Sequence, residues 1–149
     1  MSKTLSYRGV VPIGEQDLIR LKTINGKTGY KITKFQIIST TPGTSDVELI
    51  AKITKTAQTG NINTTVDFTN SDLLAVAFHK TESSTSQGPT DDVIIFDNEK
   101  FNQNIFVNIT DASGGTVPCN YYIELEQIKL DLNENTVATL KDIRNIEAQ

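Results

Sequence analysis

Short runs rich in β-branched and aromatic residues alternate with clusters of Gly, Pro, Asn, Asp and Ser along the whole chain. That rhythm predicts antiparallel strands joined by turns, near 5–12, 17–24, 30–40, 47–56, 72–80, 92–97, 104–111 and 119–131. Eight strands in one domain close as two sheets packed face to face or as one barrel. The expected fold is all-β: an antiparallel two-sheet β-sandwich, jelly-roll-like, of about eight strands.

Within the runs, alternation separates a core face from a wet one. Val47, Leu49, Ala51 and Ile53 share one side of a strand, and Glu48, Lys52 and Thr54 the other, so the first set is expected in the core and the second in water. Ile105, Val107 and Ile109 oppose Phe106, Asn108 and Thr110 in the same way. Leu73 to Phe78 is apolar on both sides, which predicts a central strand covered twice or an interface strand. In the last strand Tyr121, Ile123 and Leu125 have one parity, and Ile128, Leu130 and Leu132 the other; a bulge near Gln127 would turn both sets toward one core.

Three turn signals predict hairpins: Asn25-Gly26 with Thr28-Gly29, Pro42-Gly43, and Ser113-Gly114-Gly115. Residues 57–65 and 81–91 are small and polar, with little to bury, and are expected as exposed, mobile loops. After Leu132 the pattern changes. Asn133, Glu134 and Asn135 offer an N-cap and an early acidic charge, and Val137, Leu140, Ile143 and Arg144 fall on one side of a short helix. Thr136, Val137 and Thr139 weaken helix propensity, so an extended arm competes.

Composition narrows the class. A chain of 149 residues has room for one domain, and its 37% apolar content, concentrated in the strand-like runs, is enough for a packed core. Residues 1–149 are expected to form that single domain, with 1–8 and 133–149 as contact arms. The 18 acidic and 14 basic residues are interspersed, so no clustered basic footprint for nucleic acid is visible. One cysteine, Cys119, has no partner for an internal disulfide and no companions for a zinc site, and reads as a small residue at a strand start. No run of ~20 apolar residues suggests a membrane span and the start lacks a secretory apolar stretch, which predicts synthesis in a reducing cytoplasm. The N-x-T sequons at Asn63 and Asn108 are then chance matches.

Candidate chemistry is sparse. His79, the one histidine, ends a predicted strand with no partner suggested by spacing, and no Gly-x-Ser-x-Gly turn accompanies it, so a plain strand-end residue is favoured over a triad member. Glu124 and Glu126 could pair as glycosidase carboxylates, but alternation explains them as a solvated face and there is no Trp for a sugar to stack on. Asp91, Asp92 and Asp97 lack calcium-loop spacing. No phosphate-binding glycine pattern occurs. No cofactor, metal or small-molecule substrate is expected. Tyr7-Arg8 and Tyr121-Tyr122 are the better candidates, because Tyr and Arg anchor protein interfaces and adjacent strand residues face opposite ways, although for any one of them a ring simply lying over the sheet edge is the favoured reading.

Three stretches carry a resemblance. Gly29-Tyr30-Lys31-Ile32-Thr33-Lys34-Phe35-Gln36-Ile37-Ile38, Asn102-Gln103-Asn104-Ile105-Phe106-Val107, and Cys119-Asn120-Tyr121-Tyr122-Ile123-Glu124-Leu125-Glu126 with the Thr139-Leu140-Lys141-Asp142-Ile143-Arg144 tail together resemble the small β-sandwich virion proteins of marine tailed phages. The resemblance implies a capsid decoration or cement protein on the virion surface, partnered by the major capsid protein and by copies of itself, often as trimers. Tyr7, Arg8, Tyr122, Glu124, Val137, Leu140, Ile143 and Arg144 are the expected contact residues. A tail, baseplate or head-fibre subunit is the alternative place in such a particle, and a carbohydrate-binding module the alternative outside it.

Overall fold

The computed structural model describes residues 3–21, 28–42, 46–58, 60, 62–81, 90–96 and 100–129. They form eight strands: β1 (Lys3–Val11), β2 (Gln16–Ile19), β3 (Thr28–Ser39), β4 (Val47–Thr54), β5 (Leu73–Thr81), β6 (Thr90–Ile95), β7 (Ile105–Asp111) and β8 (Cys119–Lys129). All named pairings are antiparallel, in a three-stranded sheet of order β1-β8-β3 and a five-stranded sheet of order β2-β7-β4-β5-β6.

The inner faces supply one core, and strand parity assigns it. Val47, Leu49, Ala51 and Ile53 of β4, Ala75 and Ala77 of β5, and Ile105, Val107 and Ile109 of β7 meet Ile32, Phe35 and Ile37 of β3 and Tyr121, Ile123 and Leu125 of β8. The two-sheet sandwich is therefore the closure this sequence adopts. Ribbon pairs β1·β8, β2·β7 and β4·β5 match a long hairpin folded back on itself, which is the jelly-roll plan. The fourth pair, β3·β6, is replaced: β6 stays on β5, and Phe101 takes the free edge of β3, with Tyr30 N donating to Phe101 O at 2.7 Å and Phe101 N to Tyr30 O at 3.0 Å. Their rings stack at 6.2 Å, sealing that corner.

Several expectations are corrected. β2 lies in one sheet and β3 in the other, as do β3 and β4, and β7 and β8, so none of the three turn signals makes a hairpin between paired strands. The chain passes from one layer to the other between each of these strand pairs, and Thr28-Gly29 lies within β3, paired to β8. Gly114, at φ 80°, follows a turn in which its N–H donates to Asp111 O at 3.2 Å, and the chain then climbs to β8. No bulge occurs near Gln127: β8 runs in unbroken register against β1, and the irregularity lies opposite, on β3, between Ile32 and Lys34. There the extra residue, Thr33, lets Tyr30 and Ile32 share the inner face with Phe35 and Ile37, and its hydroxyl donates to Glu124 O at 3.2 Å. Ile128 keeps the outer parity, beside Gly29.

The second face of β4 is not wet. Ile50, Lys52 and Thr54 are buried because the chain between β4 and β5 doubles back across the outside of the five-stranded sheet. Lys52 Nζ donates to Asn63 Oδ1 at 3.3 Å and Thr65 O at 2.8 Å, and Thr110 Oγ1 to Asn63 O at 3.2 Å. Thus the polar loop expected over 57–65 keeps Asn63, Thr64 and Thr65 exposed while its own groups tie it down. β5 is covered on both faces, as its sequence predicts. Residues 82–89 and the expected helix or arm over 133–149 lie outside the described residues.

Candidate interaction face

The outer face of the three-stranded sheet is where strand register brings the expected contact residues together. Arg8 of β1 and Gln36 of β3 flank Tyr122 of β8, and one step along Val10 and Ile38 flank Asn120. In the other direction lie Ser6, Glu124 and Lys34, then Thr4, Glu126 and Lys31. Side chains two strands apart on one face are about 10 Å from each other, so Val10 and Ile38 stand as two walls with the shorter Asn120 between them. Both are 53% exposed. With Arg8, Gln36 and Tyr122 they line an open groove of about 540 Å³, completed by Gly9 and Tyr121.

Polar contacts stiffen one end of this face. Tyr122 Oη donates to Glu124 Oε1 at 2.8 Å, which raises the phenol's pKa, and Lys34 Nζ sits 5.8 Å from the ring centroid. Beneath the groove Tyr121 points the opposite way. Its hydroxyl donates to Asp17 Oδ2 of β2, a bond from one sheet to the other, and burial first and that carboxylate second push its pKa up. The ring passes under Gly9, where a Cβ would meet its hydroxyl oxygen at 2.8 Å and ring carbons at 2.9 Å. Glycine is needed there for the approach of the ring, not for an unusual φ.

Of the expected contact residues, Arg8, Tyr122 and Glu124 share this face. Tyr7 does not. It has inner parity, is half-buried against the core, and burial raises its pKa; it also raises that of Tyr30, after burial. Val137, Leu140, Ile143 and Arg144 lie outside the described residues. Val10, Gln36, Ile38 and Asn120 belong to the face and were not singled out by the sequence reading. The available signal was the doublets Val10-Val11 and Ile37-Ile38: in a strand with one buried side, a doublet of large aliphatics must turn one member outward.

Other titratable groups sit elsewhere. His79 has a partner that spacing did not reveal: it faces Asp91 across the β5·β6 register, and its Nδ1 is hydrogen-bonded to Asp91 Oδ1, while its buried Nε2 has no partner among the described residues. Asp92 takes the opposite face from Asp91, and Asp97 lies outside the described residues. No group of three or more metal-ligating side chains gathers among the described residues. Glu124 and Glu126 face Lys34 and Lys31 across the β8·β3 register. Cys119 opens β8, fully buried, and burial pushes its thiol up to about 12. Asn108 is buried, so its sequon cannot carry a glycan in the folded protein.

The architecture is that of a β-sandwich whose three-stranded sheet, among the described residues, leaves Val10 and Ile38 exposed on its outer face. No protein-family model matches the chain, and no curated protein matches it.

Proposed function

We propose that this chain is a non-enzymatic structural protein of a tailed-phage particle, a capsid decoration or cement protein that binds major capsid subunits and copies of itself at the head surface. One observation carries the reading as a contact module: the outer side of β4 in the five-stranded sheet is covered by its own chain, whereas the three-stranded sheet leaves Arg8, Val10, Ile38 and Tyr122 together in the open. Aromatic and arginine side chains beside aliphatics are what interface centres favour. Each contact of this kind is weak alone, and repetition over a shell multiplies it without requiring tight binding by any copy. The resemblance of the strand sequences to phage virion proteins supplies the particle.

Gold-labelled antibody against the purified chain, applied to phage particles that encode it, tests the assignment. Label over the head is expected. Label confined to the tail would move the protein there, and unlabelled particles would overturn the virion reading.

A further inference from the structure

A second exposed apolar cluster stands on the opposite side of the sandwich. Asp67 Oδ1 accepts from Thr69 N at 2.9 Å and from Thr69 Oγ1 at 2.6 Å, and Asn70 N donates to Asp67 O at 3.2 Å. These bonds close a tight turn with Phe68 at its tip, 55% exposed. The ring leans edge-on against Phe96, with centroids 5.5 Å apart. Ile94 pairs with Val76 and so belongs to the outer face of the five-stranded sheet, as does Asp92 two residues earlier. Holding a phenyl ring in water forgoes roughly 1.5–3 kcal/mol of burial, and here a hydrogen-bonded turn maintains it.

The two clusters are complementary in shape and in sign. The groove on the three-stranded sheet is concave. Its acids, Glu124 and Glu126, have Lys34 and Lys31 as cross-strand neighbours, which leaves Arg8 beside the aliphatics with no carboxylate partner among the described residues. The Phe68 turn is convex and carries Asp67, whose carboxyl Thr69 holds below the usual range, with Asp92 near Ile94. The lysine on that side of β5, Lys80, is already engaged with Glu48 at 3.5 Å.

We propose that the Phe68 turn of one copy seats in the groove between Val10 and Ile38 of the next, with Arg8 meeting Asp67 or the ring. The proposal rests on reading the bare sheet face as an interface, and names its occupant as a second copy of this chain. Because the two surfaces differ, the contact is heterologous: each copy retains a free groove at one end and a free turn at the other, so copies add head to tail unless the rotation between them closes a ring. A ring over an aliphatic pair, with a cation at the rim, is the kind of anchor that dominates small interfaces.

Two variants of the full chain separate this contact from a symmetric one. Phe68→Ser removes the knob and Val10→Asp spoils the groove; both side chains are more than half exposed, and circular dichroism checks the fold of each. In sedimentation velocity from about 10 µM to about 1 mM, the range in which small interfaces associate, wild type is expected to gain mass with concentration. Each variant alone stays monomeric. Their equimolar mixture forms a heterodimer, because the Val10→Asp copy keeps its turn and the Phe68→Ser copy keeps its groove. Arg8→Glu in the wild-type chain is expected to weaken association at least tenfold. A monomeric wild type, or a mixture that stays monomeric while wild type associates, would overturn the proposal, and an unchanged Arg8→Glu affinity would overturn its charge pairing. Particles that take the antibody while the mixture fails leave the virion reading standing without this contact; a mixture that pairs while particles stay unlabelled does the reverse.

Discussion

The two sheets bury their inner faces alike but treat their outer faces differently. On the five-stranded sheet the outward residues of β4, Ile50, Lys52 and Thr54, disappear under the chain that leads to β5. On the three-stranded sheet the equivalent positions of β1 and β3, Val10 and Ile38, stay in solvent. Parity decides which way a side chain points, and the route of the connecting loop decides whether water reaches it. An outward aliphatic under a loop contributes to stability, whereas one on a bare sheet contributes to recognition or to nothing.

The sharpest way to break this contrast is a pair of truncations. Ile50→Ala on the covered face is expected to cost about 2–4 kcal/mol in urea unfolding, because it opens a cavity beneath the loop. Ile38→Ala on the bare face should stay within about 0.5 kcal/mol. Equal losses at both sites would mean that the bare face is covered in solution. Gly9→Ala is the next largest effect, about 1–3 kcal/mol, since the added methyl drives Tyr121 from its place against Asp17; Tyr121→Phe in the same background should recover part of the loss by removing the oxygen that meets the new Cβ.

The smallest effect probes the loop through Lys52. Burial holds this ammonium's pKa below the ordinary lysine value of 10.5, with hydrogen bonds but no carboxylate partner among the described residues. A depressed folded pKa means that the unfolded chain binds more protons between the folded value and 10.5, so this group's contribution to stability is full above 10.5 and declines as pH falls through the folded value. Lys52→Met should remove that slope. Unfolding curves of both proteins between pH 7 and about 10.5 check it, and parallel pH dependences would show the lysine to be solvated.

Strand number, parity and core were legible in the sequence because a half-buried strand writes its burial into every second residue. Val47 to Ile53 and Ile105 to Ile109 are the clearest cases. Connectivity was not. Asn-Gly and Gly-Gly signals say that the chain reverses, but the same reversal serves a hairpin within a sheet or an arch between sheets, and only the partner strand, often a hundred residues away, distinguishes them. The bulge was written in the sequence yet sought in the wrong strand: Tyr30 and Ile32 change parity against Phe35 and Ile37 as plainly as any run near Gln127. The candidate interaction face was half visible. Tyr122 and Arg8 drew attention by residue type, whereas Val10 and Ile38 look like any core aliphatic until a neighbouring strand shows which member of each doublet is spare. His79 and Asp91 were unreadable as a pair because β5 and β6 fix their registry through backbone hydrogen bonds.

The position of β8 has a further consequence, for biosynthesis. The three-stranded layer is built around the last described strand, with Lys3 against Gln127 at one end and Val11 against Cys119 at the other. While the chain is emerging from the ribosome, β1 and β3 therefore have no central strand to join, and the apolar sides of Val11, Ile32 and Phe35 must wait until β8 has been made. A nascent chain stalled before Cys119 thus keeps those apolar sides unpaired, and the emergence of β8 is itself the event that lets the sandwich close.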